Sequence, residues 1–209
     1  MARGFKKRHG AYVAKLDAVE RGLVVGLMEQ VRELVEPAPV AQSPEGGGDE
    51  FDRIVAGLGG IGMGISLAAD DQVHELSGGA PAPRDPALDR IFPTANREDD
   101  QVAAEFRQLT EQGLRARKTA NLDAAIAALA RLEDQKVTLD QAQAVALVIA
   151  LTDVRLVLGE RLGLKQDEDI ELIEEQVASL EEDDPAVYAL AVYDFLTWLQ
   201  ETLAHALLP

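Results

Sequence analysis

The 209 residues carry 37 acidic side chains against 20 basic ones, and the formal net charge of −17 sets the surface against phosphate backbones and anionic membranes. The chain has no cysteine, which excludes disulfides, thiolate catalysis, zinc–sulfur sites and thiol redox switching. Hydrophobic residues make up 47% of the chain but aromatics only 4%, a balance that favours an Ala- and Leu-rich core of packed helices over a sheet sandwich.

The opening "MARGFKKRHG" is basic but has no apolar run behind it, so it does not read as a secretory signal. No uninterrupted apolar stretch reaches the roughly 18 residues a membrane span needs, and the expected location is cytoplasmic. "FKKRHGAYVAKLD" predicts a hairpin that turns at His9 and Gly10. Asp17 then offers a cap oxygen with Glu20 three residues on, a capping box. Leu16, Val19, Leu23, Leu27, Val31 and Leu34 recur at helical intervals, which predicts a helix over residues 17–36, ending before Pro37.

Two segments, "EPAPVAQSPEGGGDE" and "SGGAPAPRDP", have the composition of mobile linkers. Between them, Gly57, Gly59 and Gly62 spell G-x-G-x-x-G, the spacing of a dinucleotide-binding loop. That fingerprint needs a strand before it and a helix after it within a parallel sheet, and neither linker supplies one. Phe51, Ile54, Val55, Leu58, Ile61 and Ile65 instead mark one face of a helix capped by Asp49. Five glycines between positions 57 and 64 make that helix marginal, each costing about 1 kcal/mol relative to Ala. The glycine spacing is read as coincidence.

Beyond Pro86 the pattern is helical to the end. "DPALDRIFP" predicts a short helical turn closed by Pro93. Residues 98–134 are mostly helical, with Asn121 placed to cap a second helix within the run. Thr138 with Gln141 predicts a capping box for a helix that stops at Gly163, and Pro185 suits the first turn of a C-terminal helix. The expected fold is therefore mainly α: a multi-helix bundle with a small N-terminal β-hairpin and a mobile Pro/Gly-rich insertion. Residues 1–36 form the hairpin and a helix packing on the main domain, 37–84 the insertion, and 85–209 the helical domain.

Candidate chemistry is sparse. Asp153 and Arg155 lie among apolar residues two positions apart, about 200° around a helix, so they cannot share one polar face. A buried charge needs a partner. The functional reading is a catalytic acid or ligand pocket; the structural reading is a pair of ion-pair groups that orient helices, with Arg107 or Asp194 as partners. Residues 167–184 hold ten acidic side chains and no basic one, without the alternating ligands and central glycine of a calcium loop. They read as a solvated face, or as an acidic face that docks on a basic protein. The histidines His9, His74 and His205 are scattered, and a hydrolase triad is unsupported. "YDFLTWLQETL" crowds Tyr193, Phe195 and Trp198 together, as core or as interface anchors.

Several phrases together, "YVAKLDAVERGLVVGLMEQVRELV", "DPALDRIFPTANREDDQVAAEFRQLTEQGLRARK", "ALTDVRLVLGERLGL" and "YDFLTWLQETLAHALL", resemble the actinobacterial family of unknown function whose members include the oxidative-stress regulator AosR. The resemblance covers most of the chain outside about residues 38–83, a span judged from these phrases alone. It implies a cytoplasmic, mostly helical, non-enzymatic regulator that partners an alternative sigma factor, with a rival role in Clp-dependent protein turnover. It implies no catalytic residue, cofactor or metal. Sensing through a cysteine pair is ruled out here, so any peroxide response must be indirect or reside in the partner.

The expected function is transcriptional regulation through a protein partner, a sigma factor or RNA polymerase. The expected docking residues are Asp167, Glu168, Asp169, Glu171, Glu174 and Glu175, with Tyr193 and Trp198 as anchors. Direct DNA binding has only "RGFKKRHG" in its favour, and a nucleotide enzyme only the glycines or the Asp153 and Arg155 charges. A homodimer seam along the first helix or the C-terminal aromatics is the remaining expectation.

Overall fold

His9 and Gly10 both take left-handed backbone, φ 50° and 80°, as a two-residue turn of the primed type requires. In the computed structural model of the chain this turn joins β1 (Arg3–Arg8) to β2 (Ala11–Lys15), the hairpin expected from the sequence. The structure describes residues 2–36, 84–96, 98–130, 134–166, 168–177, 180 and 184–209. The glycine motif and the helix expected over residues 51–65 lie outside them.

A third strand, β3 (Lys136–Leu139), pairs antiparallel with β2 and completes a sheet of order β1-β2-β3. The sequence reading missed it. Four residues of alternation are a weak local signal, and the pairing partner lies more than a hundred positions away. Thr138 is therefore an exposed strand residue and not a helix cap. Asp140 takes that role, accepting from the Gln143 N–H at 2.8 Å while Gln143 reaches back to the Asp140 N–H. The capping box sits two residues later than expected.

Helix α1 (Ala18–Val35) starts at the Asp17–Glu20 capping box as predicted, both reciprocal bonds being present. Helix α2 (Pro86–Ile91) is capped by Asp85. Helix α3 (Asp100–Ala130) runs unbroken through Asn121, correcting the expected second cap. Leu122, Ala125 and Leu129 are all buried on its core side, and a break at Asn121 would rotate them out of contact with α1. Helix α4 (Gln141–Arg161) ends at Gly163, whose φ of 77° favours glycine. Helix α5 (Glu168–Val177) is short and acidic, and α6 (Pro185–Leu207) opens on Pro185 behind the Asp184 cap.

These six helices and the small sheet make the described chain mainly α, as its composition implied. Helix α4 is the hub. It touches α1, α2, α3, α6, β2 and β3, and its buried residues span most of its circumference, with Val145 and Thr152 exposed on the remaining face. With a mean hydropathy of 1.7 over its best window it is long and apolar enough to cross a membrane, and half of that window is buried against the rest of the protein. One core runs from Phe5 and Tyr12 in the hairpin through Met28, Leu122 and Leu147 to Leu199 and Leu203. The hairpin and α1 thus share the interior of the segment after residue 84.

Candidate protein-docking surface

The two charges of α4 diverge as their 200° separation required. Asp153 is 1% exposed, and its Oδ1 accepts from Lys118 Nζ of α3 at 2.6 Å. Burial pushes the Asp153 carboxyl above its ordinary value, and the bond and charge of Lys118 oppose that rise. Its second oxygen, Oδ2, is buried without a partner among the described residues. Lys118 in turn lies 5.9 Å from the Phe92 ring centre. Neither Arg107 nor Asp194 takes part: Arg107 faces Glu111 at 3.8 Å and Asp194 is exposed. The missing signal was the helical register of α3, which alone decides that Lys118 turns inward.

Among the described residues Arg155, expected in an ion pair, faces no carboxylate. Its Nη1 donates to Gln200 Oε1 at 2.6 Å, and its guanidinium stacks 5.2 Å from the Tyr193 ring centre. Tyr193 also lies against Gly159, where an added Cβ would stand 3.7 Å from its ring. Tyr193 therefore cements α4 to α6 and is no free anchor.

A wider set of charges ties α2 into the bundle. Arg84 lies 3.1 Å from both Asp89 and Glu111, and Glu111 accepts from Arg115 at 2.7 Å. Arg115 also donates to the Val35 carbonyl and stacks over Phe92. Arg161 bonds Asp85, and Arg90 donates to the Leu164 carbonyl at 2.8 Å. Burial works to raise the Glu111 carboxyl, but hydrogen bonds from Arg115 and Arg84 outweigh it and hold the group below its ordinary value. These groups tie α2 and the residues before it to α1, α3 and the end of α4, with Arg84 Nη2 left buried without a partner among the described residues, and no nucleophile with an adjacent base emerges from the cluster.

The acidic and aromatic candidates come together on adjacent elements, since α5 packs against α6. Asp169 is held by its own loop, its Oδ2 accepting from the Lys165 and Gln166 N–H groups at 2.7 and 2.8 Å. Those backbone donors, Gln166 first, lower its pKa. Glu175 is exposed. Asp167 and the side chains of Glu168, Glu171 and Glu174 lie outside what the structure describes, although the last three belong to α5. Ile170 and Ile173 pack on the core.

On α6, Trp198 is 36% and Tyr188 45% exposed, and the Phe195 ring lies 6.0 Å from that of Trp198. At about 100° per residue, Tyr188, Phe195 and Trp198 fall within roughly a quarter turn of the helix. Tyr188 thus takes the outward place expected of Tyr193. Its position two turns before Phe195 was the available signal.

The arrangement defines a class: a mainly helical protein whose interior charges are committed to holding helices together, with aromatic side chains left outward beside an acidic helix. The sequence places it more narrowly, because residues 2–207 match the DUF2017 family, described as a domain of unknown function, and the chain belongs to that family. No curated protein and no solved structure shows significant similarity to it.

Proposed function

We propose that this chain is a non-enzymatic, cytoplasmic regulatory protein that acts by docking on another protein, a sigma factor or another component of the transcription machinery. The observation that carries the proposal is the outward pair Tyr188 and Trp198, with Phe195 half-buried between them, on the helix that packs against the acidic α5. Aromatic anchors with a polar rim are what protein interfaces are built from, and carboxylates select a basic partner surface. The class of partner comes from the sequence resemblance, and DNA-binding proteins present such basic faces.

Trp198 is the chain's single tryptophan, so fluorotryptophan incorporation gives one fluorine NMR signal that reports this face alone. Addition of an alternative sigma factor should shift or broaden that signal. Trp198→Ala should weaken binding by about thirtyfold, the loss typical of an interface hot spot. Charge reversal at Asp169 and Glu175 together with Asp167, Glu168, Glu171 and Glu174 should weaken it further. Undiminished affinity after that reversal would overturn the proposal.

A further inference from the structure

We infer that the N-terminal hairpin is a second docking surface, which takes an extended acidic segment of a partner protein as an added strand on the outer edge of β1. It does not depend on the α5–α6 face, although α6 borders both.

The charge of the hairpin is opposite to that of the chain. Residues 2–16 include Arg3, Lys6, Lys7, Arg8 and Lys15 with no carboxylate, whereas the whole chain carries −17. All five are exposed, as is Lys136 on β3. The register sets Lys15 opposite both Arg3 and Lys136, and Val13 opposite both Lys6 and Thr138, so these residues share the outer face of the sheet. Tyr12, Ala14, Val137 and Leu139 fill the inner face.

Among the described residues the edge is open beside Lys7, whereas at Gly4 and Phe5 α6 stands against it. With a two-residue turn at His9 and Gly10, Arg8 and Ala11 form the first hydrogen-bonded pair, and Lys6 with Val13 the next. The N–H and C=O of Lys7 then point away from β2, as does the N–H of Phe5. That last group donates to Thr202 Oγ1 of α6 at 3.1 Å, which fixes the alternation. A groove of about 710 Å³ follows this edge, with Phe5, Lys6 and Lys7 on one wall and Thr202, His205 and Leu208 on the other. A strand beside a helix is the geometry in which peptides add to a sheet edge. Edge lysines repel another basic strand and so select an acidic one.

Nucleic acid fits less well. The outer face offers Ala11, Val13 and Thr138 between its cations and no ring on which a base could stack, and a phosphate backbone makes no use of edge amides. The remaining acidic surface would repel a long polyanion.

The test is fluorescence anisotropy of the full chain with a labelled short peptide alternating glutamate and valine. Parallel titrations use a lysine–valine peptide, the acidic peptide N-methylated at alternate amides, and duplex DNA. The acidic peptide should bind, the lysine peptide should not, and N-methylation on the pairing edge should abolish binding. Lys6→Glu with Arg8→Glu should weaken the acidic peptide at least about tenfold, because close like charges oppose association. Both side chains are exposed, so the fold should be kept, as circular dichroism would verify; Lys6→Gln gives a milder second variant with an intermediate loss. Absence of acidic-peptide binding, equal binding of the N-methylated peptide, or tighter binding of DNA would each overturn the inference. A bound peptide that leaves the Trp198 signal unmoved keeps this surface distinct from the first.

Discussion

Replacing Lys118 with methionine probes the most demanding contact in the interior. Among the described residues the substitution removes the one side-chain donor to Asp153 and leaves a carboxylate that is 1% exposed without compensation. Breaking a buried pair from one side costs about 3–5 kcal/mol. Lys118 itself keeps 22% side-chain exposure, so the lower end, about 3 kcal/mol, is expected. At this chain length that is a fall in Tm of roughly 6–12 °C.

The pH dependence carries the sign. Burial raises the folded-state pKa of Asp153 above its ordinary 3.8, so the native state binds this proton more readily than the unfolded chain does. Its contribution to stability therefore declines as pH rises through the window between those two values, and is constant above them. Without Lys118 the folded pKa climbs further, so the Lys118→Met deficit should shrink as pH falls from 7 toward about 5. Urea denaturation at both pH values measures this. Pairing Lys118→Met with Asp153→Leu should recover wild-type stability or exceed it, since an apolar pair of similar volume carries no desolvation penalty. A Lys118→Met cost below about 1 kcal/mol at neutral pH, or one independent of pH, would show instead that the carboxylate is solvated.

Asp140→Ala should destabilise by about 1 kcal/mol through loss of the α4 cap, while Thr138→Ala, exposed on β3, should cost less than half of that in the same denaturation assay. Gly4→Ala should cost about 1–3 kcal/mol, because the new Cβ would stand 2.5 Å from Thr202 Cγ2 and force β1 and α6 apart; the thermal midpoint reports it. Glu111→Gln should lower stability at neutral pH but show a shrinking deficit as pH drops below the ordinary 4.5, because the depressed carboxylate contributes stability above that value and loses it on protonation. A pH series of melting curves for the variant and wild type tests that window.

Local signals in the sequence were enough for the hairpin turn at His9 and Gly10, the Asp17–Glu20 box, the Gly163 stop and the helical class. Each depends on a handful of neighbouring residues whose backbone preference is intrinsic. The two-position spacing of Asp153 and Arg155 likewise required that they part, and they do. What it left open was decided between elements. β3 exists because β2 lies beside it, and the helix cap moved from Thr138 to Asp140 once Lys136–Leu139 became strand. α3 stays continuous past Asn121 because its far half is buried against α1 and α4.

The functional candidates divide in the same way. That residues 167–184 are acidic is a fact of composition, but whether an aromatic side chain on α6 faces water depends on which side α4 occupies. Tyr193 is taken by Arg155, and Tyr188 and Trp198 are left outward. Partner choice for Asp153 fell to Lys118, 35 positions away, for the same reason. Backbone propensity acts over a few residues, whereas burial and pairing depend on which helix faces cross in space.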